Sequence, residues 1–328
     1  MPWSLSRKRH PERKNEENMK KIGALFPGQG SQYVGMGKKL YERFDVVRSL
    51  FDAADKAVGL SLSGLCFNGP DEELRKTYNT QPAILLASYA AWIVLEKETG
   101  IQPFLCAGHS LGEYTALLTS GVFSLEDAVR LTRKRGLLME EACPAGTGGM
   151  VALIGPDRAK VEAVCKEISH DDYVASPANL NSPEQLVLSG NVDALKEATE
   201  RLKGAYKKAV FLNVSGPFHS ALMRPAAEKL KEELAGVTLH GMRAPVVANV
   251  DATPNKATGT VVDLLYRQMF SPVLWEDSVR TMAREGVELF LEVGPQKVLT
   301  NLVKRITPDI PCLHVEEMEE IEAVKGLL

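Results

Sequence analysis

Ser110 stands in Gly108-His109-Ser110-Leu111-Gly112, behind the apolar run Phe104-Leu105-Cys106-Ala107 and ahead of Glu113, Tyr114, Ala116, Leu117 and Leu118 at helical spacing. Strand, G-x-S-x-G and helix in that order are the context of a nucleophile elbow. Glycine is needed on both sides because the serine backbone is strained and its neighbours pass closely. Such a turn lifts Ser110 Oγ clear at its tip. It also aims the amide of Leu111, which opens the following helix, at a reacting carbonyl.

A serine hydroxyl is a poor nucleophile until a base takes its proton, so an imidazole must lie within hydrogen-bond reach. His219 is the best candidate, in Val214-Ser215-Gly216-Pro217-Phe218-His219-Ser220, a Gly/Pro loop ahead of a helix and outside any apolar stripe. His109 adjoins the nucleophile, but adjacent side chains point apart at a tight elbow, so it is expected to pack. Serine before histidine in the chain is the hydrolase order, yet the residues alone assign no acid.

A second loop joins strand to helix at Pro27-Gly28-Gln29-Gly30-Ser31-Gln32. The dinucleotide fingerprint would need glycine where Tyr33 stands, and Gly35-Met36-Gly37-Lys38-Lys39 does not supply a phosphate-binding G-K-[ST]. Both nucleotide readings fail on spacing. What remains is a backbone-rich loop at a strand's carboxyl end, where α/β folds place their sites.

The elements that must position these residues read as α/β. Lys21–Phe26 is a buried strand, with a helix following its loop to about Phe51. Asn79-Thr80-Gln81-Pro82-Ala83 leads into a helix from Ile84 to about Glu98. Ser124 caps a helix reaching about Glu141, with an acidic first turn. That helix carries Arg130, Arg133, Lys134 and Arg135, a cluster that reads as a solvated face. Gly136 weakens the helix with no packing gain evident in the sequence.

From Gly146 the texture changes. Strands at 149–155, 173–179, 185–190 and 205–213, with helices at 156–168 and 191–203, give β-α-β-β-α-β, the ferredoxin-like pattern. α/β signals then resume: a strand at 244–250, helices at 221–234, 261–269 and 275–285, a strand at 287–293 and a helix at 297–306. The expectation is a large hydrolase-like subdomain (19–145 and 217–328) with a parallel sheet, interrupted by a small ferredoxin-like one (146–216). Residues 1–18, polar and mixed in charge, read as a disordered arm and carry no signal-peptide pattern.

With 328 residues, 45% hydrophobic and 25% charged, the chain has an ordinary globular composition. A net charge of −3 gives no global reason to bind nucleic acid or an acidic membrane. Five scattered cysteines and six histidines form neither C-x-x-C nor H-x-x-x-H pairs, which points to a reduced, cytoplasmic setting and no metal site. No apolar run reaches membrane-spanning length.

From Lys21 to Ile306 the chain resembles the malonyl-CoA:acyl carrier protein transacylases of bacterial fatty acid synthesis. The motifs fall in family order: Pro27–Gln32, Thr80-Gln81-Pro82-Ala83, Gly108–Tyr114, Arg135-Gly136, Phe218-His219, Arg267-Gln268 and Glu292-Val293-Gly294-Pro295. The resemblance implies that Ser110 takes the malonyl group and that His219 is its base. It implies an oxyanion hole from the amides of Gln29 and Leu111, and Arg135 on the malonyl carboxylate. It also implies that a backbone carbonyl, at Gln268, orients the histidine in place of an aspartate. Phe218 fits malonyl-selective members. A planar guanidinium holds a carboxylate through paired hydrogen bonds, which lysine cannot do.

The implied partners are malonyl-CoA and acyl carrier protein, with no cofactor beyond the thioester substrate, no metal and a monomeric enzyme. Arg201, Lys203, Lys207 and Lys208, or Arg130, Arg133 and Lys134, could meet an acidic carrier. The alternatives are a serine hydrolase, a non-catalytic domain of the same fold, and a methylmalonyl- or acetyl-selective acyltransferase.

Overall fold

The computed structural model describes residues 20–143, 146–214 and 216–327; the arm expected at 1–18 lies outside them. The chain begins with β1 (Ile22–Phe26), α1 (Lys38–Arg43), α2 (Asp45–Val58), α3 (Leu62–Asn68), α4 (Asp71–Leu74) and α5 (Thr77–Thr99). β2 (Leu105–Gly108), α6 (Leu111–Thr119) and α7 (Leu125–Glu141) carry the elbow and the basic helix. Next come β3 (Gly148–Ile154), α8 (Arg158–Ile168), β4 (Ala175–Ser182), β5 (Gln185–Asn191), α9 (Val192–Arg201) and β6 (Lys208–Phe211). The chain continues through α10 (Arg224–Ala235), β7 (Val246–Val247), β8 (Pro254–Asn255), α11 (Val261–Gln268) and α12 (Trp275–Arg284). β9 (Leu289–Val293), α13 (Val298–Ile306), β10 (Cys312–Val315) and α14 (Met318–Lys325) complete it.

Among the described residues the strands form two sheets. The larger has the order β10-β9-β1-β2-β7-β8 and is parallel except at the β7–β8 hairpin. The smaller, β4-β5-β3-β6, is antiparallel throughout. Its strand order with two crossover helices is the ferredoxin-like arrangement, drawn wholly from residues 148–211. β1 and β2 sit at the middle of the large sheet, so the two sequence loops emerge side by side at its carboxyl edge.

Several elements differ from the sequence expectation, each for a physical reason. The glycine loop runs to Gly37, and the helix expected up to Phe51 is two helices, α1 and α2, broken at the extended Phe44. The Thr80–Ala83 motif lies inside α5, with Pro82 as its sixth residue. This early start is held by side chains: Glu140 accepts the Thr77 N–H at 2.6 Å, and Thr80 Oγ1 donates to Leu74 O at 2.5 Å. The first expected strand after the small sheet shrinks to β7 because the chain turns away at Asn249. β8 and β10 carry no sequence signal, being two and four residues long at the sheet edges.

Gly136 has the packing role the sequence hid. A Cβ there would stand 2.5 Å from Tyr78 Cα, so glycine lets α7 lie against the start of α5. That contact brings Gln81 of α5 to Arg135 of α7.

Candidate active site

The elbow is sterically locked. Ser110 adopts φ 51° and ψ −106°, a sparsely populated backbone conformation for a residue with a side chain. A Cβ on Gly108 would overlap the Gly112 carbonyl, and one on Gly112 would overlap Phe26 O of β1. Asn249, just beyond β7, braces the turn from outside. Ser110 N–H donates to Asn249 Oδ1 at 2.8 Å, and Asn249 Nδ2 donates to Gly108 O at 2.7 Å.

His219, itself at φ 61°, closes on Ser110 from the loop before α10. Its Nε2 lies 2.7 Å from Ser110 Oγ, and its Nδ1 lies 2.8 Å from Gln268 O. A carbonyl can only accept, so Nδ1 carries the proton and Nε2 presents its lone pair to the Ser110 hydroxyl. Burial, then the Arg135 cation, push the imidazole down to about 3, so it stands neutral and able to receive a proton. The base candidate therefore needs no carboxylate to fix its tautomer.

Arg135 does not share the solvated face expected for its helix; it is 0% exposed. Nη1 donates to Gln81 Oε1 at 2.8 Å, while Nη2 donates to Gln268 Oε1 at 3.0 Å and to Ser110 Oγ at 3.1 Å. The guanidinium also lies over the Tyr114 ring, 5.5 Å from its centroid. Among the described residues no carboxylate hydrogen-bonds it. A buried cation held only by neutral oxygens is costly unless an anion completes its shell.

Gln29 and Leu111 flank the same space. Gly28 presses on the elbow, where a Cβ would meet His109 O at 2.5 Å, and Gln29 Nε2 donates to Thr77 Oγ1 at 3.3 Å. A cavity of about 110 Å³ is lined by Gln29, Ser110, Leu111, Arg135 and His219, with Met150, Asn179 and Leu212 added by the small sheet. The six residues singled out in the sequence thus converge on one point.

His109 packs, as expected, and it also ties two elements together. Its Nε2 meets Asn181 Oδ1 at 2.8 Å and its ring lies against Trp275. The proposed carrier-facing basic groups are mostly matched by acids. Arg201 pairs with Glu167 and Glu197, Lys203 with Glu200, Arg130 with Asp127 and Lys134 with Glu233. Sequence reasoning missed Asn249 and Glu113. A polar residue ending an apolar strand, and an acid in the first turn of an otherwise apolar helix, were the available signals.

A strained serine hydroxyl, a neutral imidazole and a buried cation around one cavity suit an enzyme of the acyl-transferring class. The chain belongs to the acyl transferase family, whose domain model matches residues 25–324. It is 46% identical over 307 residues to the malonyl CoA-acyl carrier protein transacylase of Bacillus subtilis strain 168, covering 93% of this chain and 96% of that one. Identity to the Escherichia coli K12 protein of the same name is 45% over 310 residues, 94% of this chain and all of that one. The crystal structure of an acyl carrier protein S-malonyltransferase from Vibrio cholerae superposes with a TM-score of 0.90 at 42% identity, covering 93% of this chain and 99% of that one. A malonyl-transacylase solved in complex with a type II polyketide synthase acyl carrier protein gives 0.90 at 41% identity, over 94% of this chain and 100% of that one. No helix among the described residues is long and apolar enough to cross a membrane.

Proposed function

We propose that this chain moves a malonyl group from coenzyme A to the phosphopantetheine thiol of acyl carrier protein, supplying fatty acid synthesis. The observation that carries the reading is Arg135: a buried guanidinium with only neutral acceptors, 3.1 Å from the nucleophile oxygen. An acyl chain that ends in a carboxylate completes its shell, whereas the methyl of an acetyl group leaves the cation unmatched.

In the first half-reaction Ser110 Oγ attacks the thioester carbonyl while His219 Nε2 takes the hydroxyl proton. The Gln29 and Leu111 amides receive the developing oxyanion, each contributing about 3 kcal/mol by analogy with donor-removal effects. The carbon–sulfur bond breaks, and His219 returns the proton to the departing coenzyme A sulfur. In the second half the carrier thiol attacks the malonyl-serine ester, His219 takes the thiol proton, and Ser110 leaves as its hydroxyl. The result is a ping-pong cycle with no net proton change and no step that calls for a metal or cofactor. The cytoplasm, where carrier-protein pathways run, is the setting this chemistry fits.

The test is intact mass spectrometry after incubation with malonyl-CoA alone. A malonyl adduct is expected on the wild type and none on Ser110→Ala. Arg135→Ala should lose its preference for malonyl-CoA over acetyl-CoA. Free malonate accumulating without an adduct would instead make the protein a hydrolase.

A further inference from the structure

Glu113 is 2% exposed in the first turn of α6, a helix buried along its whole length. Among the described residues no lysine or arginine forms an ion pair with it. Burial raises its carboxyl to about 7 despite hydrogen bonds from Gln268 and Asn249. An apolar side chain would sit there at less cost. It does not cap its own helix, since the Ser110 N–H is taken by Asn249. Its bonds run outward instead: Oε2 accepts the Asn249 N–H at 3.1 Å and Gln268 Nε2 at 2.8 Å.

The second bond fixes which way the Gln268 amide faces. Nε2 looks onto two groups that act as acceptors, Glu113 Oε2 and Ser110 O at 2.9 Å. Oε1 therefore faces Arg135 Nη2, which can only donate. Turned over, the amide would set NH₂ against a guanidinium and C=O against a carboxyl. We infer that Glu113 is a positioning residue which, by holding the Gln268 amide in this sense, aims Arg135 at the acyl carboxylate and so sets donor specificity. Gln268 thereby touches three parts of the site. Its backbone oxygen holds His219, its Nε2 holds the elbow, and its Oε1 holds the arginine.

This inference rests on the reading of Arg135 given above, and the experiment separates the two. Single-turnover acylation of Ser110 is measured with malonyl-CoA and with acetyl-CoA, in the full-length wild type, Glu113→Ala, Glu113→Gln, Gln268→Met and Arg135→Ala. The malonyl-to-acetyl rate ratio is expected to fall roughly tenfold or more in Glu113→Ala and Gln268→Met. Glu113→Gln, which keeps one acceptor oxygen for both donors, should hold the ratio within about threefold. Glu113→Ala slowing both donors alike would overturn the inference, because a merely structural role moves both rates together. If Glu113→Ala does not fold, an unchanged ratio in folded Gln268→Met overturns it equally. If Arg135→Ala itself keeps the malonyl preference, the reading of Arg135 fails first.

Discussion

At the scale of single residues the site is governed by burial and by one cation beside one imidazole. Burial, then Arg135, keep His219 neutral, and the imidazole is depressed from 6.5 to about 3. Between those values the unfolded chain binds a proton that the folded one refuses. Stability from this group is therefore complete above pH 6.5 and is lost as the pH falls toward 3. Removing the guanidinium removes a charge that lowers the value, so His219 in Arg135→Ala should titrate higher than in the wild type. NMR titration of the labelled histidine reads this directly, and an unmoved or lower value would mean that Arg135 does not act on the ring. Ser110 and His219 were legible because short motifs flank them, whereas Arg135 stood out only through the family resemblance, its helix cluster reading as a solvated face. Asn249 and Glu113 were not legible, since the bonds that tie Asn249 to the elbow and to Glu113 reach 136 or more residues along the chain.

At the scale of elements the informative contact is α5 against α7. Alanine in place of a mid-helix glycine ordinarily stabilises by about 1 kcal/mol. At Gly136 the added methyl would meet Tyr78 Cα at 2.5 Å, and backbone cannot step aside as a side chain can. Overpacking of about 1–3 kcal/mol should outweigh the propensity gain, so Gly136→Ala is expected to be less stable in urea denaturation. A more stable variant would show that the helices part at no cost. The start of α5 reads too late in the sequence because proline and polar residues look like a loop. The bond from Glu140 that extends it comes from another helix and leaves no local trace. The ferredoxin-like order was legible because each strand and helix there has its own period. The edge strand β10, four residues long with His314 among them, was too short to show one.

At the scale of the molecule β4 of the small sheet is tied to the large subdomain beside the elbow. β4 is clamped to the segment before α12 by Leu180 N–H to Val273 O at 2.9 Å and Val273 N–H to Ala178 O at 2.8 Å. Arg158 of α8 reaches both Ser182 O and Glu276 of α12. His109 adds a tie beside the nucleophile itself. Asn181 Nδ2 donates to Gln185, so its oxygen is the acceptor and His109 Nε2 the donor. Asn181→Ala leaves that buried N–H without an acceptor and should lower stability by about 1–3 kcal/mol, while Asn181→Asp keeps an acceptor and should lose less. Equal losses in the two variants, read from urea midpoints, would show that packing and not the hydrogen bond matters there.

The arginine's third bond has a consequence for the idle enzyme. Before any donor arrives, the Ser110 hydroxyl donates a hydrogen bond to His219 Nε2 and accepts one from Arg135 Nη2, so a lone pair of that oxygen is already engaged. On the proposed reading of Arg135, the donor carboxylate competes for that same guanidinium nitrogen. On the proposed function, its arrival would draw the arginine away and release the oxygen, so recognising the acyl tail and arming the serine would be one motion. A donor ending in a methyl would leave that bond in place.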